Sequence, residues 1–395
     1  MFPTLGHLLS YLTGTEITLG FPMFGFVVAL SFLLAAWTLV RELERMMHTG
    51  LLPRVQEKVK PPRPASFMDY ALQAIVGFLL GYKLGLLISD AAFFMAHPAE
   101  AIFSIQGYWP SGIALALVFV LLRYRAEKHP APHQPGMRTV PTGELVGNIT
   151  AVAAISGIIG AKIFHNLEYP EDFLADPVGA LLSQGGLTFY GGLIFGTVAV
   201  TWFVWNKGLN PVRVADATAP GLMLAYAVGR IGCQLSGDGD WGIVNRWPKP
   251  AFLQWLPDWM WAFTYPHNVA EEGVPIPGCS GPFCMELPEP VFPTPIYETC
   301  AGLLLFSVLW SLRTRLRRPG LMFSVYLMFN GFERFWIEKI RVNSVYHIAG
   351  LEVTQAEIIS TFLFLTGLAG LFLTRKYQSV LERLHKKNNS NFNPN

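Results

Sequence analysis

The chain has 395 residues, of which 52% are hydrophobic, 13% aromatic and only 14% charged, a balance too apolar for a soluble chain of this length. Its formal net charge of +2 comes from 29 Lys and Arg against 27 Asp and Glu. That is no footprint of nucleic-acid binding, because the basic residues fall on alternate segments beside a membrane. The class that remains is an all-α polytopic membrane protein, since a helix satisfies its own backbone hydrogen bonds in lipid.

Crossing the hydrocarbon core takes about 20 apolar residues. Runs of this kind predict a bundle of about nine transmembrane helices, at 21–40, 68–88, 110–122, 144–164, 186–205, 215–235, 294–312, 321–340 and 354–374, the third being short. No cleavable signal peptide is expected, because the run that starts near Phe21 has no basic region before it and no small-residue cleavage site after it. Residues 41–66 read as a basic amphipathic helix running into a proline-rich linker, and 127–141 as a similar linker. Between them lies a hydrophobic hairpin, 66–124, that reads as an added module.

The stretch 243–293 carries Trp247, Trp255, Trp259 and Trp261 among many prolines, and part of it is expected at headgroup level on the outer surface. Cys279 and Cys284 in this stretch are five apart, which suits a small disulfide loop in an oxidising compartment without fixing its geometry. Cys233 and Cys300 fall in or beside spans and read as packing residues. The tail after Lys386 reads as disordered. The expected organisation is an external N-terminal segment and first span (1–40), linkers with the added hairpin (41–143), core spans (144–242), the external Trp- and Pro-rich loop (243–293), C-terminal core spans (294–375) and a cytoplasmic tail (376–395).

Orientation follows from the basic residues. The segments 41–64, 123–140, 206–213, 313–320 and 375–395 hold 21 of the 29 Lys and Arg, and the alternate segments hold three, Arg246, Lys249 and Arg341. The rule that basic loops stay in the cytoplasm puts the first set inside, the N-terminus outside and, with nine spans, the C-terminus inside.

Chemistry concentrates at helix ends. The stretch Gly229–Gly242 (GRIGCQLSGDGDWG) sets Arg230, Asp238 and Asp240 at the end of a span, with five glycines in fourteen residues. A charge kept in lipid costs a few kcal/mol, so it marks a site that handles something polar, and glycines let backbone or ligand approach closely. Arg334, Glu338 and Arg341 are spaced i, i+4, i+7 and predict an ion-pair ladder on one helix face pointing into the bundle, either a structural lock or part of a site. Arg230 and Arg334 both lie in the outer half of spans that run outward, and two guanidiniums at one depth suit a phospholipid phosphate. Gln184-Gly185-Gly186-Leu187-Thr188-Phe189-Tyr190-Gly191-Gly192 opens another span from the same side. There the glycines allow close packing, and Tyr190 alone would read as an interfacial anchor. Pro293-Thr294-Pro295-Ile296-Tyr297-Glu298 opens a further span, with Glu298 placed either to meet the helix dipole or to orient an arginine or substrate. No Cys/His cluster, Walker or Rossmann pattern is present, so neither a metal nor a cofactor is expected. The absence of an inverted repeat argues against a secondary transporter using Lys83, Asp90 and the arginines.

These four elements, in this order, resemble the prolipoprotein diacylglyceryl transferase family over about residues 15–40 and 144–375, the rest exceeding a family core of seven spans. The resemblance implies a bacterial cytoplasmic-membrane enzyme that moves the diacylglyceryl group of phosphatidylglycerol to the lipobox cysteine of a prolipoprotein signal peptide. A thioether forms and glycerol 1-phosphate leaves; no nucleic-acid partner is implied. It further implies catalytic roles for Arg230, Arg334 and Tyr190, and substrate-binding roles for Gly186, Gly191, Gly192, Gly229, Gly232, Asp238, Gly242, Glu298, Asn330, Glu338 and Arg341. Lys162 falls where the family often has an arginine, while Phe24, Tyr190, Cys233 and Asn330 depart from its usual tyrosine, histidine, asparagine and tyrosine. An unshifted phenol, with a pKa of about 10, is a poor base. A non-catalytic phospholipid-binding homologue is therefore the alternative expectation.

Overall fold

The structure is a computed structural model that describes residues 1–17, 19–58, 65–90, 93, 101, 104–128, 137–182, 188–343, 345–348 and 351–391. Among these residues the chain is an all-α polytopic membrane protein. Its long helices are α2 (Met23–His48), α3 (Phe67–Ser89), α4 (Trp109–Lys128), α5 (Thr142–Glu168), α8 (Phe189–Asn206), α9 (Pro211–Ser236), α10 (Thr294–Leu312), α11 (Leu321–Glu338) and α12 (Gln355–Asn391). The short helices α1 (Leu5–Thr13), α6 (Pro170–Ala175) and α7 (Pro177–Leu182) lie between them. Six of the long helices, α2 to α5, α10 and α12, are long and apolar enough to cross a membrane by length and composition.

Each expected span overlaps one long helix, with four differences in detail. The short third span is a full 20-residue helix, α4. Residues 41–48 are no separate amphipathic helix but the last turns of α2, where Glu42 is buried and paired with Arg45 and Arg313. α12 continues to Asn391, past the point where the polar tail suggests disorder, because the backbone helix propagates out of the span. Cys300 on α10 is exposed rather than packed.

α9 is the centre of the bundle, packing on α2, α10, α11 and α8. Its start is fixed by Asn210, whose side chain accepts from Val212 N–H at 3.0 Å, with Pro211 in the first turn. Close approach to α2 depends on Gly221, where an added Cβ would stand 2.6 Å from Thr38 Oγ1. α11 is tied to α9 at its own start, since Asp216 accepts from the N–H groups of Gly320 (2.7 Å) and Phe323 (2.9 Å). The apolar core between α9, α10 and α11 is built on Met223, Leu309 and Met322, and a second one joins α2, α5 and α9 through Leu43, Leu145 and Val214. α8 packs on α5, and α11 on α12.

The hairpin of α3 and α4 packs chiefly on itself. Gly77, Gly81 and Gly85 line the contact, and a Cβ at Gly81 would lie 2.3 Å from Ser111 O. Lys83 Nζ donates to the carbonyls of Ala101 (2.8 Å), Ser104 (2.5 Å) and Gln106 (2.7 Å), while Asp90 accepts from Phe93 N–H. Both residues serve the hairpin's own turn and not a charge pathway shared with the arginines. The hairpin's base is closed by β1 (Gln56–Lys58) pairing antiparallel with β2 (Met137–Thr139). Two further two-stranded ribbons, β3 (Val274–Pro275) with β4 (Met285–Glu286) and β5 (Val345–Ile348) with β6 (Leu351–Thr354), lie outside the helices.

The segment 243–293 is a folded arm over the end of α9. Tyr265, fully buried, donates its hydroxyl to Gln234 Oε1 at 2.7 Å, and buried Asn268 donates to the carbonyls of Tyr265, Glu272 and Met285. Cys279 and Cys284 form a disulfide at its rim. Trp247, Phe252 and Trp255 are exposed.

Candidate active site

Three helix ends meet at one end of the bundle. α9 stops at Gly237, whose left-handed φ of 65° ends the helix, so Arg230 falls in its last two turns. α10 begins with Thr294 and Pro295 and brings in Glu298 one turn later. α11 stops at Glu338, after which Arg341 lies on extended chain bridged to Gly242. The bridge needs glycine, because a Cβ at Gly242 would stand 2.4 Å from Ile340 O.

Glu298 is the hub. Its side chain is 0% exposed, Oε2 lies 2.6 Å from Arg230 Nε, and Oε1 meets Arg334 Nη1 at 3.2 Å and Arg341 Nη1 at 3.1 Å. Asp240 closes the other side, one carboxylate oxygen pairing with Arg230 Nη1 and the other with Arg341 Nη2. Glu338 pairs with Arg334 Nη2 at 3.0 Å and accepts from Asn343 Nδ2 at 2.6 Å. Three guanidiniums and three carboxylates form one network, which is the condition under which ions persist away from water. Arg341 Nε is buried without an acceptor among the described residues.

Tyr226, one turn before Arg230, places its ring 5.3 Å from the Arg230 guanidinium carbon and donates its hydroxyl to Glu333, whose two oxygens lie 3.2 and 3.1 Å away. Glu333 also lines a cavity of about 490 Å³ between α10 and α11, with Tyr297, Leu304, Leu305, Phe332 and Trp336.

Of the residues expected from sequence, the structure brings Arg230, Arg334, Glu298, Glu338 and Arg341 together. The ladder on α11 forms only its first rung, Arg334 to Glu338, because the helix ends there and Arg341 turns instead to Glu298 and Asp240. Asp240, not Asp238, joins the arginines; Asp238 sits beside it and accepts the Asp240 N–H at 3.4 Å. Burial lifts the Asp238 carboxyl above its ordinary range. For Asp240 burial pushes the same way, but Arg230 and Arg341 outweigh it and hold the carboxyl below that range.

The glycines divide by role. Gly229 faces open space beside Arg230. Gly232 packs on Val27 and Phe24 of α2, and Gly191 and Gly192 pack on Gly160 and Gly157 of α5, so these three make helix contacts rather than line the arginine network. Gly186 lies outside the described residues. Tyr190, 39% exposed, stands in the first turn of α8, the helix that packs on α5, where Lys162 is buried. Asn330 sits one turn before Arg334 on α11 and is half-buried.

Sequence reading missed Asp240's role, Tyr226 and Glu333. The available signals were the one-turn spacing of Tyr226 to Arg230 and the adjacency of Glu333 to Arg334. Cys233, Asp238 and Asp240 each bring a ligand atom within 4.8 Å of the others, a set that could hold a metal. Arg230 already bonds Asp240 and lies 3.7 Å from Cys233 Sγ, and that positive charge opposes a cation there.

A family model described as prolipoprotein diacylglyceryl transferase matches residues 111–373, well over half of the chain. The matched stretch takes in α4 and leaves out α2, whereas the sequence motifs suggested the reverse. A phosphatidylglycerol–prolipoprotein diacylglyceryl transferase of Corynebacterium glutamicum is 30% identical over 248 residues, covering 61% of this chain and 73% of the relative. Proteins of the same name from Streptococcus uberis (28% identical; 60% of this chain, 82% of the relative) and Streptococcus agalactiae serotype Ia (27%; 70% and 95%) are also similar.

Proposed function

The chain belongs to the prolipoprotein diacylglyceryl transferase family, and from that premise we propose that it transfers the diacylglyceryl group of phosphatidylglycerol to the lipobox cysteine of a prolipoprotein. The observation that carries this reading is the convergence of Arg230, Arg334 and Arg341 on Glu298 at the meeting of three helix ends. In the reaction a thiolate attacks the glycerol carbon that bears the phosphate. The carbon–oxygen bond breaks, a thioether forms, and glycerol 1-phosphate leaves. The departing group gathers negative charge, and fixed guanidiniums in a dry site stabilise that charge without reorganising.

Arg230 and Arg334 hold the phosphate, and Glu298, Asp240 and Glu338 fix these two side chains and Arg341. Gly229 leaves room beside Arg230 for the headgroup. In a bacterial cytoplasmic membrane with the basic loops inside and the N-terminus outside, the network lies toward the outer leaflet, where an exported prolipoprotein presents its cysteine.

The test follows peptide mass and released glycerol phosphate with purified protein, phosphatidylglycerol and a lipobox peptide. The expected result is a gain of one diacylglyceryl unit, lost when the peptide cysteine is serine and reduced at least about 100-fold in Arg230→Ala and Arg334→Ala. Folded arginine variants that transfer at the wild-type rate would sink the assignment. Lipid that binds and is never consumed would make the chain a phospholipid-binding homologue instead.

A further inference from the structure

The network of arginines is balanced without Glu333. Asp240, Glu298 and Glu338 each pair with Arg230, Arg334 or Arg341, three carboxylates against three guanidiniums. Glu333 is a further carboxylate at this place, 8% exposed and without an ion pair among the described residues. Its bonded partner is a neutral phenol, Tyr226. The charged groups that face it are Arg230 from α9, Glu298 from α10 and Arg334 from its own helix, and Tyr297 shares its cavity. A carboxylate joined to a phenol by a hydrogen bond can exchange a proton along it, whereas Asp240, Glu298 and Glu338 are held by guanidiniums, which stay protonated. Glu333 also lines the apolar cavity between α10 and α11. Tyr190, by contrast, stands on the helix that packs on α5.

We propose that Glu333, acting through Tyr226, accepts the proton of the attacking thiol. This rests on the transfer reaction above and names the group that reaction lacks. The thiol proton passes to the Tyr226 oxygen as Tyr226 passes its own proton to Glu333. The freed sulfur electron pair forms the carbon–sulfur bond, and the pair of the broken carbon–oxygen bond leaves on the phosphate. Glu333 then returns its proton through Tyr226 to the departing phosphate or to water, and no oxidant or cofactor enters the balance.

The test uses the full chain in phosphatidylglycerol nanodiscs with a lipobox peptide, measuring kcat, KM for peptide and the pH profile. The wild-type rate should rise with pH to a plateau as Glu333 ionises. Glu333→Gln, which keeps the shape, should lower kcat about 100-fold or more, leave KM near wild type and abolish that acid limb. Tyr226→Phe, which keeps the ring beneath Arg230 but breaks the relay, should lower kcat by a similar factor and displace the limb. Glu333→Gln with the wild-type rate and profile would overturn the inference, and so would a uniform loss with raised KM and an unmoved profile, which is the mark of a prop for Arg230. Should Glu333→Gln fail to fold, an unchanged rate and profile in Tyr226→Phe would overturn it. A wild type that transfers nothing would overturn the proposed function together with this inference, whereas an active wild type isolates the inference.

Discussion

Asp240 shows how one side chain links pH to stability here. Arg230 and Arg341 hold its carboxyl below the ordinary range. A depressed folded-state value means stability that is fully present above the unfolded pKa of about 3.9 and is lost as pH falls through the lower folded value. Thermal unfolding in detergent should therefore show wild-type stability falling as the medium is acidified below pH about 4, with less of that acid sensitivity in Asp240→Asn. An equal acid slope in both proteins would show that the ion pairs contribute nothing to folding. Glu298 shows the complementary side of the same physics. With three guanidiniums on one buried carboxylate, losing it would strand positive charge, a loss that costs about 3–5 kcal/mol for buried pairs.

At the scale of elements, glycine decides which helices can touch. Gly191 of α8 and Gly160 of α5 back onto each other, and a Cβ at Gly191 would lie 2.3 Å from Gly160 O. Gly191→Leu should separate the two helices and cost about 1–3 kcal/mol, read as a lowered unfolding midpoint. Because the arginine network is carried by α9, α10 and α11, its transfer rate at a temperature where the variant is folded should stay close to wild type. A large loss of rate with unchanged stability would mean that the glycine pair belongs to the substrate path, as the family resemblance implied. Sequence could name these glycines but not assign them. A Gly-Gly pair reads alike whether it meets a helix or a lipid, and only the partner surface distinguishes the two.

At the scale of the whole molecule, the hairpin of α3 and α4 is separable in geometry. It packs chiefly on itself, and β1 and β2 hold Lys58 opposite Met137 at its base. Replacing residues 59–136 by a short turn should leave the bundle folded and transfer within a few-fold of wild type, and removing two spans preserves the side on which each end lies. The family match extends into α4, so an inactive but folded excision variant would place the hairpin within the working enzyme.

The chain by itself determined the membrane class, the positions of the long helices and the presence of Arg230, Arg334, Arg341, Glu298 and Glu338 as a group at helix ends. Hydropathy is legible because a span needs about 20 apolar residues in a row, and a charge within one stands out against them. Tertiary structure alone decided which charges pair. Asp238 and Asp240 are equivalent in sequence, and the turn after Gly237 aims one at the guanidiniums and not the other. Arg341 looked like the third rung of a helical ladder until the helix ended before it. Tyr226 and Glu333 are 107 residues apart, and their bond exists only because α9 and α11 pack side by side. Pairing energy depends on distance and on the exclusion of water, and both are properties of the packed bundle rather than of spacing along the chain.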